Sequence, residues 1–485
     1  KKERKEKLMP VSTKQLTICD FSSDFEKFFN QNQTNLLTLL DKFIDISSYI
    51  PHSFYKSYYR QFGRDRKYSL ESMISFFILK NILCISSIDT MINILSLSSE
   101  LRSYCGFFKI PHKSQFSRFK SEFLDDINNL FHNLVDYTED ISKVVNPFLS
   151  SILITDTTGF EHYVKENNPK FYQGFLSKAK AYKKVLSKTN DAINFNIDKH
   201  AQSHMPKSAS SNKDSKLCFL NGHFGYFQKT IISTNGFGLI RDINFYEADN
   251  NLSIDLTPNE IKDIYDAKSL IPTLETFFSY HPNLEYKYFI GDSGFDADDN
   301  YAYLHEKNIM PIIAINPRNS TNKLPSKLNE VGVPLCPKDD SLAMVYDGIT
   351  RQKNRADRIK YICPKAKKTR LNGKTTYLLN CESPCTKSKC GKIKQLTIHH
   401  NYRYNSSFPR DSLKWIKLFK LRTRIERTIS QIKNFVQIRS LKIQNTKSLK
   451  SEIILACISQ LIAFILLYHV KDDFKNPLAI KALAA

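Results

Sequence analysis

Three carboxylates stand where phosphodiester chemistry could use them: Asp156, Asp292 and Glu426. Cutting a phosphodiester without a covalent enzyme intermediate calls for two hard cations about 3.5 to 4 Å apart, bridging the attacking and leaving oxygens. Oxygen ligands from Asp and Glu suit Mg²⁺ or Mn²⁺. Asp156 follows the apolar run Ile152-Leu153-Ile154-Thr155, and Asp292 follows Tyr288-Phe289-Ile290-Gly291. A carboxylate just past a central strand is held by the sheet yet points into solvent. Taken singly, an aspartate at a strand end is also an ordinary turn former.

Glu426 carries more information. From Lys414 to Lys450 there are eleven basic residues and this one acidic residue. A solitary carboxylate there could be the i, i+4 partner of Arg422, but such a pair needs no acid-free surroundings. A helix that lies against a phosphate backbone while presenting one metal ligand accounts for both features. At roughly 100° per residue, Phe419, Arg422, Glu426 and Lys433 fall within about 60° of one another. Arg422 and Lys433 are placed to contact phosphates or to screen developing charge, and Arg424 and Arg427 are further DNA-binding candidates.

The elements that must hold these groups are legible as an α/β chain. Residues 1–149 read as a helical N-terminal domain. Within it, Tyr68 to Phe123 punctuates like three or four short helices, with Ser69, Ser87 and Ser114 as N-caps. The last helix sets Phe116, Phe119 and Phe123 inward and leaves Gln115, Arg118 and Lys120 outward, the layout of a helix-turn-helix entering a major groove. An ordinary helical bundle would show the same pattern. From Ser150 the pattern changes to strands, with a glycine-marked pair at Gly222 to Ile232 and Gly236 to Phe245 and a loop or inserted arm between Lys165 and Lys216. Tyr286 to Ile290 is another strand, followed by a helix (Ala297 to Lys307) and a strand (Met310 to Ile315), so residues 150–316 suggest a sheet flanked by helices. Residues 317–400 form a cysteine-containing insertion. Residues 401–470 complete the core with a long helix, Asp411 to Phe435, whose buried stripe is Leu418, Leu421, Ile425, Ile429 and Ile432. Residues 471–485 are a tail.

Composition narrows the partners. The formal charge of +23 and pI near 9.4 favour a polyanion, and double-stranded DNA leads. No cleavable signal is evident, and the apolar run Ile453 to Tyr468 is interrupted by Ser459 and Gln460, which reads as a buried helix rather than a membrane span. Cytoplasmic placement at a prokaryotic nucleoid follows as the expectation.

The run Phe419-x2-Arg422-x3-Glu426-x6-Lys433 resembles the Tyr-Arg-Glu-Lys signature of the IS-four-type DDE transposases, with Phe419 in place of the tyrosine. ITDTTG (Ile154 to Gly159) and IGDSGFD (Ile290 to Asp296) resemble that family's two aspartate motifs. Tyr68 to Phe123, with LRSYCGF and IPHKSQFSRFK, is similar to its helical N-terminal region. The resemblance spans Ser53 to Leu467. It implies a ribonuclease H-like core with Asp156 on the first strand, Asp292 after the fourth, Glu426 on a later helix and an insertion before that helix. The implied activity is metal-dependent cleavage and strand transfer of an insertion sequence with Mg²⁺ or Mn²⁺, on element ends and target DNA, by a homodimer. Asp296 stands by as a substitute for Asp292. The rival readings are an inactive DNA-binding derivative and a non-transposing nuclease on the same fold.

Of ten cysteines, five lie between Cys336 and Cys390. Cys363, Cys381, Cys385 and Cys390 could supply four thiolates to a structural Zn²⁺, with Cys336, His399 and His400 as spare candidates, and a metal would let a short module hold its shape without much core. Some relatives by this resemblance carry a similar cysteine-bearing insertion. Free cysteines in a reducing compartment would look the same in sequence.

Overall fold

The computed structural model describes residues 35–470 except 61–63, 189–194, 221–222, 246–257, 317–328, 330–332, 353–354, 372–373, 390, 398–402, 404–409, 411 and 438–441. Along the chain the main elements are helices α1 (Leu70–Ile82), α2 (Ile88–Leu97), α3 (Lys113–Glu122) and α4 (Leu124–Val145), then β1 (Ile152–Glu161), α5 (Pro169–Leu186) and α6 (Ile197–Ser203). There follow β2 (Lys216–Leu220), β3 (His223–Asn235), β4 (Ile240–Phe245), α7 (Pro258–Tyr280), β5 (Tyr288–Gly291), α8 (Asp298–Glu306) and β6 (Met310–Ile313). Strands β7 (Val345–Gln352), β8 (Arg355–Ile362), β9 (Ala366–Leu371), β10 (Lys374–Leu379) and β11 (Ile393–Thr397) precede α9 (Leu413–Phe419), α10 (Thr423–Val436) and α11 (Thr446–Val470). The chain divides into two compact units, one of Lys1–Ser150, Thr157–Lys262 and Arg424–Ala485, the other of Ser151–Asp156 and Asp263–Thr423. One boundary falls inside β1.

In the first unit, Ser69 and Ser87 cap α1 and α2 by accepting the amides of Ser72 and Thr90, as their sequence positions indicate. Helix α3 starts two residues earlier than expected: His112 is its cap, accepting from the Ser114 amide at 3.3 Å, so Ser114 lies in the first turn. Helix α11 is apolar on every side and long enough to cross a membrane by length and composition, yet it is buried against α4, α1, α3 and β4. It runs further than the apolar stretch foreseen. Ser459 satisfies its own hydroxyl on the Leu455 carbonyl, and Gln460 accepts the Ile240 amide, so both interruptions are spent inside the core.

Two lysines enter that core. Lys80 and Lys120 meet opposite oxygens of Glu452 at 2.8 and 2.6 Å, all three side chains at most 4% exposed. Burial alone would raise the Glu452 carboxyl, but the two ammonium groups overturn this and hold it at about 2. Lys120 is therefore corrected from an outward DNA contact to a buried ion-pair member. It follows Phe116 by four residues, which puts both on the buried face of α3.

Of the two readings of Lys165 to Lys216, a loop or an inserted arm, the described residues favour the arm, which is largely helical. Asn168 caps α5 with Pro169 in its first turn, and Phe171, Tyr172 and Phe175 pack on Val164, Met205, Ala209 and Tyr226. Strand β3 pairs antiparallel with β2 and with β4, and it neighbours β1. Asp292 follows β5, the fifth strand among the described residues.

In the second unit, Ile152–Ile154 of β1 run parallel to Tyr288–Ile290 of β5, and β5 runs parallel to β6. The strands after β6, in the segment expected as an insertion, form a three-stranded antiparallel sheet, β11-β8-β7, and a β9–β10 hairpin. Val333, Met344, Ile359 and Tyr361 make its small core. The long helix expected over Asp411 to Phe435 is broken: α9 ends at Phe419, Lys420–Arg422 form a 3₁₀ turn, and α10 begins at Thr423. That turn alters the helical phase between Phe419 and Glu426.

Candidate active site

Strands β1 and β5 form because their apolar residues are buried on both faces, Ile152, Leu153, Ile154, Phe289 and Ile290 all being 0% exposed. Their register pairs Ile154 with Ile290. Asp156 and Asp292 each lie two residues beyond that pair, Asp156 still within β1 and Asp292 just past the end of β5. Parallel neighbours are about 4.8 Å apart, a spacing that lets two carboxylates serve one group of ligands. β1 does not stop at Asp156, as its sequence suggested, but continues to Glu161. Asp156 is nonetheless past the last residue of β1 that pairs with β5.

The loop after β5 is shaped around Asp292. Its Oδ1 accepts the Gly294 amide at 2.8 Å and opens a 3₁₀ turn, Ser293–Phe295. A Cβ at Gly294 would stand 2.9 Å from Asp292 Oδ1 and 3.4 Å from Asp266 Oδ2, so only glycine leaves both carboxylates their places. Asp266, buried on α7, is thus a further carboxylate beside the loop that sequence reading missed. No strand end or motif marks it; its neighbour Asn300, which bonds the Ala267 and Phe295 carbonyls at 2.8 and 2.9 Å, becomes visible only in the fold.

Asp296 is a different kind of residue. Its carboxylate is 1% exposed and receives Arg403 on both oxygens, the Tyr301 hydroxyl at 2.9 Å and the Asn316 amide at 2.6 Å. Arg410 adds a bond to the Tyr301 hydroxyl at 3.0 Å. The expectation that Asp296 could replace Asp292 as a ligand is corrected, because all its lone pairs are engaged in holding the loop after β5 to the segments beyond β6.

Arg422 extends toward Asp156, with Nη1 3.9 Å from Oδ2 and the two side chains 28% and 17% exposed. At that exposure and distance the pair adds little stability. It leaves a cation beside a carboxylate that solvent can reach.

Glu426 and its neighbours lie on α10 in the other unit. Glu426 and Arg427 are exposed. Arg424 donates to the Gly236 carbonyl at 2.6 Å and Thr428 to the Gly238 carbonyl at 2.5 Å, so α10 is pinned to the β3–β4 turn on either side of Glu426. Gly238 has φ +86°, and a Cβ there would meet Thr428 Oγ1 at 3.0 Å, so the turn needs glycine for its backbone and for the helix to approach. Arg424 thus anchors this helix; it is half-buried, and burial and the nearby Arg427 depress its pKa. Lys433 sits 6.0 Å from the centre of the Phe160 ring. Ile425, Ile429 and Ile432 are buried as the stripe required, whereas Leu421 falls in the 3₁₀ turn and is only half-buried.

In the helical N-terminal region, Arg118 is exposed and bonds back to the Ser114 carbonyl at 3.3 Å, while Gln115 is half-buried. In the insertion, Cys363, Cys381 and Cys385 line one cavity together with Cys336. Cys390, His399 and His400 lie outside the described residues. Among the described residues, no three His, Cys, Asp or Glu side chains are already gathered closely enough to hold a metal ion.

Residues 23–122 match the family model described as Transposase domain (DUF772), and residues 237–462 match the Transposase DDE domain. The first match ends where α3 ends. The second contains Asp292 and Glu426 and begins after Asp156, which therefore stands on its place in β1. No curated protein matches the chain.

Proposed function

We propose that this chain, which is an insertion-sequence DDE transposase, cuts and joins DNA with divalent metal ions bound by Asp156, Asp292 and Glu426. The observation that carries the assignment is the parallel register of β1 and β5, which pairs Ile154 with Ile290, two residues before Asp156 and Asp292. The donor set fits a hard divalent cation, since it is made of carboxylate oxygens and Asp156 is open to solvent. Mg²⁺ is the expected ion, with Mn²⁺ as its usual replacement. Bound there, the ions supply the activation of water and then of the freed 3′-hydroxyl, and they neutralise charge on the phosphate under attack.

The chain's own groups do the remaining work. Asp156 and Asp292 are held by the sheet. Glu426 follows Arg422 by four residues, about one helical turn, on a helix fixed by Arg424 and Thr428. Arg422, Lys433 and Arg427 supply cations to the phosphate backbone, and Gln115 and Arg118 of α3 meet the element's ends. The order β3-β1-β5-β6, with β4 on β3, supports a ribonuclease H-like core. The test is cleavage and strand transfer on DNA carrying the element's ends with Mg²⁺. Asp156→Asn, Asp292→Asn and Glu426→Gln should each abolish both reactions while DNA binding persists. Full activity in any one of them removes that residue from the site, and cleavage without joined products favours a nuclease.

A further inference from the structure

The insertion contains the same tripeptide twice, Cys336-Pro337-Lys338 and Cys363-Pro364-Lys365. Both fold alike. The Asp339 amide donates to the Cys336 carbonyl at 3.3 Å and the Ala366 amide to the Cys363 carbonyl at 3.0 Å, so each cysteine opens a turn closed three residues later. Both turns face one cavity of about 300 Å³, to which each gives its cysteine and its lysine. Cys381 and Cys385, four residues apart, complete the lining with two more thiols.

The loop bearing Cys385 is folded over Cys363. Gly391 adopts φ +76°, and a Cβ on it would stand 2.9 Å from the Cys363 Cβ, so glycine is what allows the approach. The Gly391 amide bonds the Ser388 carbonyl at 3.1 Å, and Lys338 Nζ reaches Ser383 Oγ at 3.2 Å from the other side. Two matched turns and one CxxxC loop are thus tied around a common space.

From this arrangement we infer a structural Zn²⁺ site whose four ligands are Cys336, Cys363, Cys381 and Cys385. Cys336 takes the fourth place that the sequence offered to Cys390. Soft thiolates select Zn²⁺ over the hard cations of the catalytic carboxylates. Four thiolates on one Zn²⁺ carry a net charge of −2, and Lys338 and Lys365, on the walls of the same cavity, oppose it. The sulfurs must close inward on the ion, and the module has the small core of Val333, Met344, Ile359 and Tyr361 to support that closure. Binding releases the thiol protons, so Zn²⁺ retention falls as pH is lowered.

The experiment is metal analysis of the full-length protein purified without added zinc, followed by replacement of the metal with Co²⁺. One equivalent of zinc per chain and a thiolate-to-cobalt charge-transfer band of tetrahedral type are expected from the wild type. Cys336→Ser should lose both, and Cys84→Ser, outside the insertion, should keep both. No zinc, no cobalt band and five freely reactive thiols in the insertion would overturn the site. Zinc retained in Cys336→Ser but lost in Cys390→Ser would overturn the ligand set. The wild-type cobalt spectrum needs no variant to fold, and neither measurement depends on cleavage, so failure here leaves the transposase reading untouched.

Discussion

Arg403 grips both oxygens of Asp296 in a buried ion pair only four residues past Asp292. The two aspartates of the IGDSGFD run therefore divide the labour. Asp296→Ala strands a buried guanidinium and should cost about 3 to 5 kcal/mol of stability. Asp292→Ala should leave the unfolding midpoint within about 1 kcal/mol of wild type and abolish cleavage. Denaturant titration beside a cleavage assay separates them; an Asp296→Ala protein of native stability would sink this division.

Arg118 and Lys120 should also part company, although two residues separate them. Replacing exposed Arg118 by Ala should weaken binding to the element's ends by about 1 to 3 kcal/mol if it reads a base, with stability unchanged. Lys120→Ala removes half the countercharge of Glu452 and should lower stability by about 3 kcal/mol. Salt-dependent binding curves for both variants, set against their melting curves, decide it. Weak DNA binding by a Lys120→Ala protein of native stability would restore Lys120 to the DNA surface.

Acid should loosen the first unit through Glu452. Its carboxyl is lowered from 4.5 to about 2 because Lys120 and Lys80 outweigh its burial. A folded-state pKa below the unfolded one gives stability that is present above about pH 4.5 and lost as pH falls toward 2, roughly 3 kcal/mol in all. Buried His162, lowered to about 4 by burial and Lys450 against a raising effect of Asp214, acts in the same direction below pH 6.5. Unfolding free energy measured from pH 7 to pH 2 should have a shallower slope in Glu452→Gln below pH 4.5; an unchanged slope would deny the link.

Asp242 works with the opposite sign. Burial raises its carboxyl from 3.8 to about 7 against the Ile243 amide, and among the described residues Oδ2 has no hydrogen-bond partner. The folded state therefore favours the protonated acid, an advantage present below pH 3.8 and lost as pH rises to 7. Asp242→Asn should be more stable than wild type at pH 8 and lose that lead at pH 4. Equal pH profiles would contradict it.

Gly238 tests how α10 is held. Ala there must adopt φ +86° and push against Thr428, so Gly238→Ala should cost about 1 to 3 kcal/mol and displace the helix that bears Glu426. Cleavage should fall further than DNA binding does. A variant with full cleavage would show that the turn does not set the helix position.

What could be read from the sequence was local. The apolar runs before Asp156 and Asp292, the serine caps of α1 and α2, and the acid-poor run around Glu426 all lie within a few residues of the feature they define. What could not be read depended on distant partners. Lys120 finds Glu452 across 332 residues and Arg403 finds Asp296 across 107. Arg424 meets the Gly236 carbonyl across 188. A charged side chain is outward by default until its counterion is known. The 3₁₀ turn at Lys420–Arg422 escaped notice for another reason: its residues fit an unbroken helix equally well.

The burial of α11 bears on how the chain is made. Helices α1, α3 and α4 pack on a segment synthesised three hundred residues after them, and Lys80 and Lys120 lack their counterion until Glu452 leaves the ribosome. During translation the N-terminal helices must wait with apolar faces and bare ammonium groups, a state exposed to chaperones and proteases. The N-terminal helices then complete their packing only once α11 has been made. A chain cut short before α11 yields no stable N-terminal fragment.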